Sequence, residues 1–265
     1  MKLLIVEGNN LQTRQQRGAF GINPYHLTFQ EMLKSLVPEA GTDFAFPADG
    51  VGGLPTVAQL KQYDGVLWTG SSLSVLDDIP DVHRQLNFAH EVFESGVPFY
   101  GSCWGMQVAT VVAGGKVALS DNGLEFGISK PIELTVSGKE SPFFKDRKAP
   151  YTALCIHYDE VVKTPETAII LAGNVHSKVQ AMTFDFKNGS FFGVQYHPEF
   201  NPSEMALIAS FLSEKLVKST AFDSLEEVRD FCTLLGEQKR LPPEISDYQI
   251  HTQEIRAWLR HISGE

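Results

Sequence analysis

Short apolar runs separated by longer stretches of helical period dominate the first four-fifths of the chain. Runs of strand character fall at 2–6, 64–68, 97–100, 152–156, 168–171 and 190–196. Between them, apolar residues recur at a spacing of three to four over 26–37, 81–95, 104–113 and 203–217, which predicts helices. Tyr63-Asp64-Gly65-Val66-Leu67-Trp68 reads as one such strand, continuously apolar over Val66-Leu67-Trp68 as a strand covered on both faces requires. The alternation predicts an α/β fold: a mostly parallel central sheet with helices on both faces and active residues at the carboxyl ends of the strands. Residues 117–136 read as a β-rich excursion, and 137–150 as a polar, turn-prone loop. Arg14 to Tyr25, carrying Arg17, Gly18 and Phe20, reads as an ordinary loop, with a lid over the site as the alternative.

The pattern changes after residue 217. Ser224 caps a predicted helix over 224–235 with an acidic first turn, and Lys239-Arg240-Leu241-Pro242-Pro243 breaks it. A second helix is predicted from Asp247 to His261, with Ile250, Ile255, Trp258, Leu259 and Ile262 as its apolar stripe. The chain is therefore expected to divide into a catalytic domain, 1–217, and a C-terminal helical extension, 218–265. That extension either packs as a helical hairpin onto the core or offers a docking surface to a synthase partner or a second copy.

Composition narrows the functional classes. The chain has 265 residues, 43% of them hydrophobic and 20% charged, enough for a full core. A net charge of −10, with no Lys/Arg-rich run, argues against nucleic acid or an anionic membrane as partner. Met1 to Gly8 reads as a first strand rather than a signal peptide, and no segment has the ~20 apolar residues of a membrane span. Three cysteines, Cys103, Cys155 and Cys232, give neither a paired framework nor Cys-x-x-Cys spacing. Cys155 and Cys232 read as packing residues. A cytoplasmic location is expected.

Gly101-Ser102-Cys103-Trp104-Gly105 carries the chemistry. It lies between the run Val97-Pro98-Phe99-Tyr100 and the helix that starts at Trp104, the layout of a nucleophile elbow with sulfur as nucleophile. A thiol at a helix N-terminus sits near unpaired N–H groups and the positive end of the dipole, which favours thiolate. Such a nucleophile needs an oriented base. The strand run 190–196 ends in His197-Pro198-Glu199, where the fixed φ of proline can hold carboxylate and imidazole on one side. A third strand run ends in Thr69-Gly70-Ser71-Ser72; the N–H groups of Gly70 and Trp104 could form an oxyanion hole.

These blocks, with Ile156-His157-Tyr158-Asp159-Glu160-Val161, occur in the order of the class I glutamine amidotransferases, and the chain resembles that family over roughly 1–217, being similar to the glutaminase domain of GMP synthase. The resemblance implies Cys103 as nucleophile, His197 as acid/base, Glu199 as third triad member, and Gly70 and Trp104 as oxyanion donors. It implies further that Gln107 faces the glutamyl part of the substrate and that the backbone of Ile156 and His157 holds its α-amino and α-carboxyl groups. Two departures stand out: Thr69-Gly70-Ser71 replaces Gly-Gly-Pro or Pro-Gly-Pro, and Ile156 replaces a serine. His176 reads as an exposed loop histidine. No His and carboxylate set outside the triad has metal-ligand spacing, so neither metal nor other cofactor is expected.

No P-loop and no adenylating Ser-Gly-Gly-x-Asp-Ser is present, so any ammonia-accepting chemistry would sit on a separate synthase chain. Three readings follow from the resemblance: a glutaminase delivering ammonia to such a partner, a stand-alone γ-glutamyl peptidase or amide hydrolase with the same triad, and a non-catalytic binding protein. The substrate is accordingly glutamine or another γ-glutamyl compound.

Overall fold

The computed structural model describes residues 1–264. Its strands are Lys2–Val6 (β1), Gly41–Ala45 (β2), Gly65–Trp68 (β3), Phe99–Ser102 (β4), Lys116–Leu119 (β5), Glu125–Ile128 (β6), Glu133–Leu134 (β7), Leu154–His157 (β8), Asp159–Lys163 (β9), Ile169–Gly173 (β10), Ala181–Phe186 (β11) and Gly189–Val194 (β12). The α-helices are Leu11–Ala19 (α1), Tyr25–Leu36 (α2), Val57–Leu60 (α3), Pro80–Ser95 (α4), Trp104–Val112 (α5), Val136–Glu140 (α6), Pro202–Phe211 (α7), Ser213–Lys218 (α8), Leu225–Gly236 (α9), Pro243–Ser246 (α10), Tyr248–His251 (α11) and Gln253–Ser263 (α12).

Eight strands form one sheet in the order β2-β1-β3-β4-β12-β11-β10-β7. The first five run parallel, and β12 to β7 continue antiparallel. From β1 the chain steps to β2 on one side and to β3 on the other. The order reverses there, the crevice where open α/β sheets bind ligands. The carboxyl ends of β3, β4 and β12 lead into Gly70, Cys103 and His197. Phe99 and Phe191 point to one face with Trp68, Phe88 and Phe93, while Tyr100 and Phe192 point to the other with Leu3, Ile5 and Phe29. Period-two alternation with apolar residues at every position is what two covered faces require.

Several expectations change. β8 leaves the main sheet and pairs antiparallel with β6, and β5 pairs with β9 in a second small sheet. β2 and β11, not anticipated from the pattern, complete the sheet. Of the residues expected as a loop, 14–19 belong to α1 and Tyr25 opens α2, so only 20–24 connect the two helices. Residues 137–150 include part of α6, and 203–217 divides into α7 and α8.

Ser224 caps α9, accepting from the Glu227 N–H. The second tail helix is broken at Thr252 into α11 and α12. Ile255, Trp258 and Leu259 of α12 are buried with Leu3, Ile5 and Leu67, and the Trp258 ring lies 5.6 Å from that of Tyr100. Glu254, wholly buried, pairs with Arg147 and accepts from the Tyr196 hydroxyl at 2.7 Å. The tail thus closes one sheet face and braces the strand end that carries His197. No helix among the described residues is long and apolar enough to cross a membrane.

Candidate active site

Cys103 caps α5 with φ 47° and ψ −102°. A non-glycine residue in that region stores of order 1–3 kcal/mol, tolerated because its surroundings leave no alternative. The Cys103 N–H donates to Val194 O at 2.8 Å, tying the elbow to β12. A Cβ at position 105 would lie 2.5 Å from the Trp68 carbonyl oxygen. Only glycine lets α5 start this close to β3. Trp104, as first residue of the helix, has an N–H with no acceptor within α5.

His197 is held from three directions. Its N–H donates to Leu154 O at 2.8 Å, its ring stacks on Phe200 at 4.2 Å, and Nδ1 lies 2.6 Å from Glu199 Oε1. The Ser102 hydroxyl donates to the same oxygen at 3.3 Å. Burial alone would lower the imidazole pKa, but Glu199 and then Cys103 beside it outweigh that and push it up to about 10. Among the described residues Nε2 has no hydrogen-bond partner, and Cys103 Sγ is turned to Ile156 O at 3.5 Å. The structure therefore contains the imidazole–carboxylate pair already formed and a thiol lining the same cavity, with Nε2 left over for a proton.

The turn after β3 is fixed by the loop after β1. Gly8 N–H donates to Thr69 Oγ1 at 2.9 Å, Ser71 Oγ donates to Gly8 O at 2.9 Å, and Ser72 N–H donates to Asn9 Oδ1 at 2.8 Å. The Gly70 N–H has no acceptor among the described residues. A Cβ there would lie 2.6 Å from His197 Cε1, so glycine is what allows the imidazole to approach. Thr69 and Ser71, where the family resemblance leads one to expect glycine and proline, act through these clamps.

A cavity of about 430 Å³ opens above Cys103, within the range that takes small ligands. Gln107 Nε2 donates to Asp159 O at 3.0 Å, one helical turn beyond the cysteine. Ile156 and His157 line the wall by way of β8, but the His157 ring is engaged elsewhere, with Nε2 2.9 Å from Glu125 Oε2. Asp159 is a site residue that sequence reasoning misses, since a lone aspartate at a strand start carries no signal. One carboxylate oxygen accepts from Ser74 Oγ at 2.6 Å, the other is buried without a partner among the described residues, and burial holds its pKa above the ordinary value. Tyr25 also enters the site, its ring 6.2 Å from His197.

Behind this wall, Glu125, His157 and His176 converge, each with a ligating atom within 4.8 Å of the others. Positions 125, 157 and 176 show no metal spacing in sequence; the β6–β8 pairing and the 174–177 turn bring them together. His176 is not the exposed loop residue expected: it is half-buried with its ring edge on His157 at 5.6 Å. The set could ligate a cation. Yet Glu125 already accepts from the Lys130 N–H, Asn174, Gln180 and His157, the pattern of a carboxylate fixing a histidine. Burial would raise the Glu125 pKa, but these donors, His157 foremost, hold it at about 2.

Fold and cavity together place a cysteine at a strand–helix elbow, in one cavity with a buried imidazole–carboxylate pair. The sequence model of the family "Glutamine amidotransferase class-I" matches residues 54–215. The chain is 34% identical to a γ-glutamyl-L-1-hydroxyisopropylamide hydrolase of Pseudomonas sp. over 278 aligned positions, 99% of this chain and 93% of that protein. It is 34% identical over 154 residues to a glutamine-hydrolyzing GMP synthase subunit of Sulfolobus acidocaldarius, covering 57% of this chain and 76% of that protein. A GMP synthase of Ligilactobacillus salivarius is 32% identical over 67% of this chain, which spans only 33% of that longer protein. The structure of a glutamine amidotransferase from Thermotoga maritima superposes with a TM-score of 0.73 at 15% identity, covering 100% and 99% of the two chains. The protein belongs to the class I glutamine amidotransferase family. It is an amide hydrolase of the cysteine-dependent kind that family contains.

Proposed function

We propose that the protein hydrolyses γ-glutamyl amides through a Cys103 thioester. The observation that carries this choice is the similarity to a γ-glutamyl amide hydrolase along 99% of the chain, the C-terminal helices included. Ammonia delivery to a separate synthase draws its support from the match to the Sulfolobus GMP synthase subunit, which covers 57% of the chain.

In this reading, Cys103 thiolate adds to the γ-carbonyl carbon, and the oxyanion is met by the N–H groups of Gly70 and Trp104. One such donor is typically worth ~3 kcal/mol of barrier. His197, protonated on Nε2, gives that proton to the departing nitrogen as the C–N bond breaks. It then takes a proton from water, which attacks the thioester and releases glutamate and the thiolate. Glu199 fixes the Nδ1–H tautomer and faces the imidazolium; Ser102 positions Glu199. The partnerless oxygen of Asp159 is suited to the α-ammonium of the glutamyl half, beside Gln107 and the Ile156–His157 backbone.

The test is glutamate release from γ-glutamyl amides and dipeptides, with glutamine for comparison. Cys103→Ala and Cys103→Ser are expected to abolish hydrolysis without loss of the folded circular dichroism spectrum. A Cys103→Ala protein that keeps more than a few per cent of the rate removes the thioester mechanism, and ammonia release from glutamine that rises only with an added synthase favours the delivery reading.

A further inference from the structure

One cation in the catalytic cavity has neither an ion-pair partner nor a hydrogen-bond acceptor among the described residues. Arg17, in α1, is 3% exposed and lines the cavity with Cys103 and His197. Neither Nε nor Nη2 has a hydrogen-bond acceptor, and Arg17 makes no ion pair among the described residues. Its guanidinium is stacked on the Tyr25 ring, 4.3 Å from the centroid. The neighbouring acid, Glu204, lies beyond ion-pair distance of Arg17, and one of its oxygens accepts from the Thr28 hydroxyl at 2.9 Å. Taking a guanidinium out of water without acceptors is costly, so its retention at the wall of a binding cavity points to an anion that arrives with the ligand.

Its place decides which part of the ligand. Arg17 stacks on Tyr25, and Tyr25 packs on His197 and on Phe200, at 6.2 and 5.3 Å. The guanidinium therefore lies on the His197 side, where the proton is handed to the departing nitrogen. Gln107, Ile156 and Asp159 form a separate wall, joined by the Gln107–Asp159 bond. Lys215, which also lines the cavity, belongs to that wall, over the Tyr158 ring at 5.3 Å.

We propose that Arg17 is the carboxylate anchor of a leaving-group subsite, and that the preferred substrates are γ-glutamyl amino acids or peptides, whose amine half bears a carboxylate. A planar guanidinium meets a carboxylate with two parallel N–H···O bonds, which sets orientation as well as affinity. The inference rests on the γ-glutamyl hydrolase reading above and adds the chemistry of the amine half.

The test compares γ-glutamylalanine with γ-glutamyl isopropylamide, which replaces the carboxylate by a methyl group. Wild-type kcat/KM is expected to favour the dipeptide by about 10- to 100-fold, the usual worth of hydrogen bonds to a charged group. Arg17→Met is expected to erase that preference, mainly through a raised KM for the dipeptide. Arg17→Lys, which keeps charge without the fork, is expected to fall between. Equal losses on both substrates would assign Arg17 to the glutamyl half or to structure, and overturn the proposal. So would a wild-type enzyme that treats the two alike, a measurement that needs no variant to fold. In that last case γ-glutamyl hydrolysis itself still stands; absence of Cys103-dependent hydrolysis of either compound overturns both.

Discussion

Replacing Gly105 with alanine puts a methyl group where the start of α5 meets β3. The new Cβ would stand 2.5 Å from the Trp68 carbonyl oxygen, 2.9 Å from its Cβ and 3.1 Å from its carbonyl carbon. Both partners are anchored. β3 is paired on both edges, and the elbow is tied to β12 by the Cys103 N–H. Moving from 2.5 Å to an ordinary contact of 3.4 Å demands a displacement of about 0.9 Å, the kind of overpacking that costs ~1–3 kcal/mol. At roughly 2–4 °C per kcal/mol for a chain of this size, Tm should fall by about 2–12 °C. The function should suffer more. A shift approaching ~1 Å at Trp104 misplaces the proposed oxyanion donor and the thiol together, and displacements of that size cost on the order of 100-fold in rate. Gly18→Ala serves as the matched control. Gly18 is exposed within α1, with nothing within 4 Å of a Cβ there, and alanine in a helix gains ~0.5–1 kcal/mol. Thermal unfolding by circular dichroism and kcat/KM on γ-glutamylalanine read both variants. A Gly105→Ala protein with wild-type Tm and rate would refute the close-approach argument.

Three further outcomes are expected. Glu199→Gln removes the charge that most strongly counters burial of His197, so the imidazole pKa should drop from about 10 and kcat/KM at pH 7 should fall by ~10³–10⁴; NMR titration of His197 and the pH–rate profile check this, and a loss under tenfold contradicts it. Burial raises the Glu204 pKa from 4.5 to about 7, so between those values the folded state holds a proton that the unfolded state has released, and stability falls as pH rises through the window. Glu204→Gln should therefore raise Tm at pH 8 and change it little at pH 4, and equal shifts at both pH values would dismiss the linkage. Trp258→Ala should cost ~3–5 kcal/mol, because the indole is buried against Tyr100, and a Tm drop below 2 °C would mean that α12 is not part of the cooperative unit.

Legibility from sequence followed the strength of each local pattern. The helix expected over 104–113 is α5, 104–112, because Met106, Val108 and Ala109 supply an apolar face behind a glycine turn. Ser224 caps α9 as its residue type predicts. By contrast α1 carries one buried residue, Arg17, so it shows no apolar period to read. β2, with Gly41 and Asp43 exposed at the sheet edge, and β11, a hairpin partner of β12, draw their stability from long pairings rather than from their own composition.

The Gly-x-Cys-x-Gly elbow and the His197–Pro198–Glu199 pair were already decided by the chain itself. Their geometry spans one to four residues, and backbone sterics over that distance leave few choices. Which charges end up without partners was decided only by folding. Arg17 and Asp159 are ordinary ions in an unfolded chain; they become recognition groups because α1 and β9 carry them out of water into one cavity. Glu125, His157 and His176 likewise meet through strand pairing across dozens of residues. Solvent exclusion is a property of the packed whole, and no stretch of sequence contains it.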